Sequence, residues 1–302
     1  MNAGSWEENL PLFVRRRIER VGKGGGGDAE DEIAVEEPLE IEVSWEPAGA
    51  RETKTISITM RTPGNDGELA VGFLVGEGLL RSPDEVEKVF NRGPRSGPEG
   101  FQNSVHVALK AGVLADFKRL QRNFYATSSC GVCGKSSMDA LKLDAFRELG
   151  GPEWTIDEKM VRELPARLRA EQEAFSHTGG LHGAGLFTPE GQMIAVREDV
   201  GRHNAVDKVI GSRFLAGEAR LPGAVLVVSG RASFELMQKA IAAGIPALVA
   251  VGAPSSLAVE VAERFGATLI GFTKPESFNI YAGAQRVRNG MDIQDEKNAM
   301  EG

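Results

Sequence analysis

The sequence contains little cysteine, few aromatic residues and no long apolar run. Two cysteines among 302 residues argue against a disulfide-stabilised scaffold and leave both thiols free for chemistry in a reducing compartment. No run reaches the roughly 18 apolar residues that a membrane-spanning helix needs, and no apolar segment follows Arg15–Arg17 as an export signal would require. Basic residues number 35 against 43 acidic ones, so no face is predicted to attract nucleic acid. The sequence therefore predicts a cytoplasmic protein whose partners include neither nucleic acid nor membrane.

Glycine, by contrast, is plentiful. The chain has 37 glycines and 41% apolar residues, a composition that suits an α/β protein with many tight turns. Residues 1–36 are predicted to be a disordered tail, because Gly24–Gly27 and the acidic run after it cannot form a core. Residues 291–302 are predicted to be a second tail. Between the tails we expect a β-rich N-terminal subdomain over 37–126 and an α/β domain over 127–290.

The N-terminal subdomain has clear strand patterns. Apolar and polar residues alternate over Leu39–Trp45, and a second strand pattern covers Thr53–Met60, which together predict a hairpin. Glu68–Leu80 is apolar and predicts a helix. Ser82–Glu85 has the residues of a capping box and predicts the start of a second short helix. The glycines and prolines of 91–100 predict a loop.

The last third of the chain alternates buried-type strands with helices. Ala224–Val228, Ala247–Val251 and Thr268–Phe272 are apolar runs, and the segments between them, Phe234–Ala243 and Ser256–Phe265, have helical patterns. This β-α-β-α-β series predicts parallel strands joined by right-handed crossovers.

Each of these three strands is followed by a short polar loop, over Ser229–Ser233, Gly252–Ser255 and Thr273–Ser277. Parallel strands would bring all three loops to the carboxyl edge of the sheet, where open α/β sheets bind ligands. Two of the loops open helices, whose free N–H groups suit phosphate, and Arg231 and Lys274 add positive charge. A nucleotide-bearing ligand is therefore predicted. Ordinary strand-to-helix turns stay open as the alternative, because the chain has no known phosphate-loop motif.

The two cysteines lie in a loop of small residues, Thr127–Ser137. Neighbouring glycines let the backbone fold around the sulfur atoms of Cys130 and Cys133, and Lys135 with a following helix N-terminus favours the thiolate. This setting favours redox or sulfur-transfer chemistry. Two alternatives stay open, a pair of structural loop residues and a zinc site. The histidines available to such a zinc site are His177, His182 and His203.

Two glycine-containing segments in the middle of the chain, 177–183 and 198–204, combine histidines with acids. Their histidines could act in general acid–base chemistry. Simple hydrogen bonding of each ring to nearby backbone is the alternative, and the sequence leaves both open.

Several motifs, taken in order, resemble the formate dehydrogenase accessory sulfurtransferase family, FdhD. The resemblance spans roughly residues 34–290, nearly the whole chain between the predicted tails. The matching segments are TPGNDGELAVGFLVGEGLL at 62–80, TSSCGVCGK at 127–135, HTGGLHGAGLF at 177–187, VREDVGRHNAVDKVIG at 196–211, SGRASFELMQKA at 229–240 and GFTKPESFNIY at 271–281.

The resemblance implies a sulfurtransferase that takes persulfide sulfur from a cysteine desulfurase. Such a protein passes the sulfur to the bis-(molybdopterin guanine dinucleotide) molybdenum cofactor, which formate dehydrogenase needs for activity. Cys130 matches the family's persulfide-carrying cysteine, and Cys133 matches its second loop cysteine. The resemblance also implies a homodimer with no permanently bound metal. The implied fold is a cytidine deaminase-like three-layer α-β-α domain without the deaminase zinc site. The implied cofactor-binding residues are Phe272, Thr273, Lys274, Pro275, Glu276 and Ser277, to which the loop argument adds Ser229, Gly230 and Arg231.

Two other functions stay open. One is a zinc-dependent deaminase-like hydrolase on the same fold, and the other is a non-catalytic chaperone that only holds the cofactor. The chain also departs from the family at Lys274, where arginine is frequent, and lysine offers a point charge instead of a bidentate fork.

Overall fold

The computed structural model describes residues 10–23, 25–46, 49–97, 99–113, 148–150 and 154–289. The predicted cysteine loop, with Cys130 and Cys133, lies outside these residues, as does the predicted tail 291–302. None of the described helices is long and apolar enough to cross a membrane. The described helices are α1 (Asp66–Gly76), α2 (Glu158–Ala170), α3 (Glu173–Thr178), α4 (Arg202–Leu215), α5 (Phe234–Ala242) and α6 (Ser256–Phe265).

The first two strands, β1 (Phe13–Gly22) and β2 (Gly25–Ala34), form an antiparallel hairpin. The side chain of His177, on α3, anchors this hairpin to the body. Its Nδ1 lies 2.8 Å from a carboxylate oxygen of Glu32, and its ring stacks on Phe13 with the centroids 4.7 Å apart.

The prediction of a disordered leader is therefore wrong for these two strands. The antiparallel register sets basic residues of β1 opposite acidic residues of β2, so that Arg15 faces Glu32 and Arg17 faces Glu30. Each strand alone has the composition of a solvated tail, but their pairing neutralises opposite charges across the ladder. That complementarity between distant segments is invisible to an analysis of local composition.

A four-stranded sheet follows, in the order β4-β3-β6-β5. The predicted hairpin is confirmed, because β3 and β4 pair antiparallel, whereas β3 and β6 run parallel. The strands are β3 (Glu37–Trp45), β4 (Glu52–Arg61), β5 (Val86–Ser96) and β6 (Phe101–Leu109).

Strand β5 corrects two predictions. The capping box at Ser82 forms, but it closes only a single 3-10 turn, Pro83–Glu85, after which the chain pairs with β6. Residues 91–96, predicted as part of a loop, belong to β5. The pairing register shifts between Arg92 and Arg95, where the Gly-Pro pair lies. The ladder therefore continues past two residues that usually end a strand.

A six-stranded sheet forms the second half of the molecule, in the order β13-β12-β11-β10-β8-β9. The predicted parallel series is confirmed, because β10 pairs parallel with β11 and β11 with β12, while the other pairs are antiparallel. The strands are β8 (His182–Phe187), β9 (Met193–Asp199), β10 (Val225–Val228), β11 (Ala247–Ala250), β12 (Thr268–Gly271) and β13 (Asn279–Ala282), and two short strands, β7 (Ile156–Asp157) and β14 (Val287–Arg288), pair separately.

Helices lie on both faces of the six-stranded sheet. Successive residues of a strand point to opposite faces. Leu226 therefore joins a core with α1, α4, α5 and α6, while Val227 joins a second core beneath α2. This arrangement confirms an α/β protein, and its relation to cytidine deaminase stays a prediction.

The two large sheets share one core. Leu39 and Val105 of the four-stranded sheet belong to the same buried cluster as Leu226 of the six-stranded sheet. The contact between them is made by α1 and α4, whose backbones touch: a Cβ on Gly72 would lie 1.8 Å from the carbonyl oxygen of Asp207. The boundary predicted between 126 and 127 lies outside the described residues and stays a prediction.

Candidate ligand site at the carboxyl edge of the sheet

The three loops predicted at one edge of the sheet do meet there. The amide of Gly252 donates to the carbonyl of Gly230 at 2.9 Å, and the amide of Phe272 donates to the carbonyl of Gly252 at 3.1 Å. Ala232 and Pro254 form a parallel bridge that extends the ladder beyond β10 and β11. These bonds fix the loops side by side, so the predicted placement is confirmed.

A fourth segment joins these loops, and the sequence analysis did not place it there. Strand β8 runs antiparallel to β10, so His182, where β8 begins, reaches the end at which β10 finishes. Strand β9 ends beside it, because Asp199 is the register partner of His182, and α4 begins three residues later with Arg202. We use the name carboxyl edge for His182 together with the segments 199–203, 229–233, 252–255 and 272–277.

Gly230 allows His182 and Arg202 to lie close to the loop that follows β10. A Cβ on Gly230 would lie 3.5 Å from Nδ1 of His182 and 4.0 Å from Cδ of Arg202. His182, the segment 199–203 and the three loops therefore lie together at one edge of the sheet, whereas His177 lies at the N-terminal hairpin. The signal that could have revealed this is the hairpin of β8 and β9, whose register places the start of one strand beside the end of the other.

The first turns of α4 and α5 are linked by His203. Its Nε2 lies 2.7 Å from a carboxylate oxygen of Glu235 and 3.3 Å from the hydroxyl of Ser233. The hydrogen bond from His203 lowers the pKa of Glu235. Neither N-cap residue, Gly201 for α4 or Ser233 for α5, accepts a side-chain hydrogen bond from its own first turn.

The surroundings of His182 favour the neutral form of its imidazole ring. Burial lowers its pKa, electrostatic interactions with Arg202 and His203 lower it further, and Asp199 opposes them. A neutral ring beside Arg202 can still donate or accept a hydrogen bond. Acid–base chemistry and simple hydrogen bonding both remain available to it.

Asp199 holds the start of α4 in place. This fully buried carboxylate accepts hydrogen bonds from the amide of Gly201 at 2.8 Å, the side chain of Asn204 at 3.0 Å and the amide of Thr62 at 3.1 Å. It also pairs with Lys208 at 2.8 Å. Because Thr62 follows β4, the network ties the carboxyl edge to the four-stranded sheet.

The loop after β12 is tightly held but presents exposed side chains. Phe272 has a left-handed backbone, with φ of 51°, and its side chain is 43% exposed. Thr273 is buried, and both its amide and its hydroxyl donate to the carbonyl of Ala250. A left-handed phenylalanine is uncommon and stores strain, as residues at ligand sites often do. Of the predicted residues in this loop, the exposed ones are Phe272, Lys274, Pro275, Glu276 and Ser277.

The other predicted residues at the edge differ in their freedom to bind. The hydroxyl of Ser229 already accepts a hydrogen bond from the amide of Gly183 at 2.9 Å. Arg231 is exposed, and its backbone packs on Gly252. The Nε of Arg202 is buried and has no hydrogen-bond partner, an uncommon state for a guanidinium atom. An edge with uncapped helix starts and basic side chains is suited to an anion.

An α/β sheet flanked by helices, with basic side chains at its carboxyl edge, defines a protein of the mixed α/β class. Comparison with known proteins makes this specific: the chain belongs to the FdhD/NarQ family, whose model matches residues 34–288. Similar proteins include those named sulfur carrier protein FdhD from Streptomyces avermitilis, 47% identical over 90% of this chain and 95% of that one, and from Mycobacterium tuberculosis, 47% identical over 84% and 91%. The protein of that name from Sulfolobus acidocaldarius is 42% identical over 90% of this chain and 97% of its own.

A solved structure shares the fold. The crystal structure of a protein described as a formate dehydrogenase accessory protein from Desulfotalea psychrophila matches with a TM-score of 0.68 at 23% identity. The match covers 92% of this chain and all of that one.

Proposed function

We propose that this protein is a sulfurtransferase that carries persulfide sulfur from a cysteine desulfurase to the bis-(molybdopterin guanine dinucleotide) molybdenum cofactor of formate dehydrogenase. The observation that carries the proposal is the 47% identity, over nine-tenths of the chain, to a protein named as a sulfur carrier. The name of the structural neighbour, a formate dehydrogenase accessory protein, supports formate dehydrogenase as the client.

The sulfur is carried by Cys130. Its thiolate attacks the outer sulfur of the desulfurase persulfide, a new S–S bond forms at Cys130, and the donor cysteine leaves as a thiolate. The glycines and Lys135 around the pair favour the thiolate form that this attack requires. Cys133 has a supporting role with two open routes: its thiolate can take over the outer sulfur of the Cys130 persulfide as a relay, with the Cys130 thiolate as the leaving group, or it can attack the inner sulfur, forming a Cys130–Cys133 disulfide and releasing the outer sulfur as sulfide.

The carboxyl edge is the place we assign to the guanine dinucleotide part of the substrate. Its uncapped helix starts and its basic residues Arg231 and Lys274 suit diphosphate, and the exposed ring of Phe272 offers a surface on which a base can stack. The unpartnered Nε of Arg202 is the structural observation that fits an anion at this edge. A homodimer stays a prediction, and with it the question of which subunit holds each end of the substrate.

The zinc-dependent hydrolase is less well supported by the positions of the histidines. His177 is engaged by Glu32 and Phe13, and His203 by Glu235 and Ser233. Two of the three rings that would complete a zinc site with the cysteines therefore have other partners. Stoichiometric zinc in the purified protein would nevertheless favour the hydrolase, so metal content is the measurement that separates the two functions.

Activation of formate dehydrogenase tests the proposal in cells that lack their own member of this family. Wild-type protein should restore activity, Cys130→Ala should not, and Cys133→Ala should restore it in part. A chaperone that only holds the cofactor would tolerate Cys130→Ala. Restoration by that variant would therefore contradict a sulfur-carrying role and favour the chaperone.

A further inference from the structure

We propose that Arg202 binds a phosphate group of the nucleotide ligand, through the Nε that the fold leaves without an acceptor. The inference rests on the proposed nucleotide site, and it adds to that site a residue from α4, outside the three loops predicted from the sequence. Arg202 would thus bind phosphate at the carboxyl edge together with Arg231 and Lys274.

The first argument is the unsatisfied donor. Among the described residues, three buried side-chain nitrogen atoms have no hydrogen-bond partner, and they belong to Gln172, Arg202 and Arg213. The guanidinium of Arg213 still pairs with Glu218 through another nitrogen. A buried donor without an acceptor is destabilising, and a ligand oxygen at Arg202 would remove that cost.

The second argument is that neighbouring acids are already engaged. Asp199 accepts four hydrogen bonds and ion pairs, including one from Lys208, and Glu235 is paired with His203. Lys208 offsets the charge of Asp199, and Glu235 is hydrogen-bonded to His203 while Arg202 attracts it only through space. The positive charge of Arg202 remains available to an anion that enters from solution.

The third argument is the space and polarity around the side chain. Gly230 faces Arg202 and His182 and carries no side chain, so none is present there to cover these two residues. His182 is held neutral, so it offers a hydrogen bond without adding a second charge. The N-cap residues of α4 and α5 leave their first-turn amides without a side-chain acceptor. An arginine beside such amides is suited to a phosphoryl oxygen.

Calorimetric titration tests the assignment with three probes: GDP, inorganic pyrophosphate and guanosine. In Arg202→Gln, the affinity for GDP and pyrophosphate should fall by roughly ten- to hundredfold, the loss of one charged hydrogen bond, while any guanosine binding is unchanged. Arg202→Lys should be intermediate, because lysine keeps the charge but lacks the planar fork. Arg213→Gln is the matched control, since it removes the other buried guanidinium Nε of α4, and it should bind all probes like wild type.

Unchanged GDP and pyrophosphate affinity in Arg202→Gln, with the same unfolding midpoint as wild type, would overturn the assignment. So would a wild-type protein that binds none of the probes. Persulfide loading of wild-type Cys130, measured separately, tests the proposed function. If loading fails while Arg202→Gln weakens GDP binding, the proposed function is wrong and the phosphate role of Arg202 stands.

Discussion

At the residue scale, the carboxyl edge is distinguished by how its charges are used. Glu276 is exposed, but the other acids are paired, Asp199 with Lys208 and, just beyond the edge, Glu235 with His203. Its basic residues differ from them, because Arg231 and Lys274 are exposed and the Nε of Arg202 has no partner. The side chains at this edge therefore carry positive charge that is not used within the fold.

Removing one of the exposed charges should weaken nucleotide binding. We expect Arg231→Ala and Lys274→Ala each to weaken the affinity for GDP about ten- to hundredfold, because a charged phosphate contact contributes roughly 1.5–3 kcal/mol. Calorimetry measures the effect, with Lys110→Ala as a control, since Lys110 is an exposed lysine in the N-terminal half of the chain. Wild-type affinity in both variants would leave the loops as ordinary strand-to-helix turns.

A buried histidine in the four-stranded sheet should make stability depend on pH. Burial lowers the pKa of His106, against the opposing effect of Glu42 and with support from Arg92. The folded state therefore disfavours the protonated ring, so its contribution to stability is present above the unfolded pKa of about 6.5 and is lost as the pH falls toward the folded value. Urea unfolding between roughly pH 7.5 and 5 should show wild type losing more stability than His106→Gln. Equal losses of stability in wild type and His106→Gln would show that the pKa of His106 is the same in the folded and unfolded states.

At the element scale, the contact between α1 and α4 decides how the two sheets are joined. Gly72 on α1 and Gly211 on α4 each face the backbone of the other helix, because a Cβ at either would lie 1.8 Å from a carbonyl oxygen. No side chain fits between the helices at these points. The site depends on this contact, since α4 carries Arg202 and His203 at its start.

Gly72→Ala should therefore be strongly destabilising. The added methyl group meets backbone, which cannot rotate away, so we expect a loss of roughly 3 kcal/mol or more in the free energy of unfolding. Gly223→Ala is the matched control, because nothing lies within 4 Å of a Cβ there, and it should change stability little. Denaturant unfolding of the two variants compares them, and equal stability would mean that α1 can shift without cost.

Sequence patterns predicted those elements that local signals define. The β10-α5-β11-α6-β12 series follows from apolar runs and helical periods. Local patterns do not reveal how segments that are distant in the sequence pair with each other. The charged hairpin, the extension of β5 past its Gly-Pro pair, and the meeting of His182 with Gly230 all depend on such pairing.

At the scale of the whole molecule, the N-terminal hairpin is attached to the body by few contacts. Most residues of β1 and β2 are exposed, and a two-stranded ribbon is marginally stable on its own. Its anchor is His177, which contacts Phe13 and Glu32 near the ends of the two strands. The shared core of the two large sheets does not include the hairpin.

Removal of residues 1–33 should therefore leave the fold stable. The truncated chain begins at Ala34 and keeps β3 and its core residues, so the thermal midpoint should change by only a few degrees, the size expected for about 1 kcal/mol. Phe13→Ala in the full chain isolates the ring contact with His177. A large drop in the midpoint of the truncated chain would show that the hairpin is part of the cooperative unit.

The central claim is that Cys130 carries the sulfur, and intact-mass spectrometry of the protein after incubation with a cysteine desulfurase and L-cysteine tests it most directly. Wild type should gain about 32 Da, the mass of one sulfur atom, and the gain should disappear after treatment with a thiol reductant. Cys133→Ala should keep the gain and Cys130→Ala should lose it. A persistent gain in Cys130→Ala, with the added sulfur located on Cys133, would contradict the account.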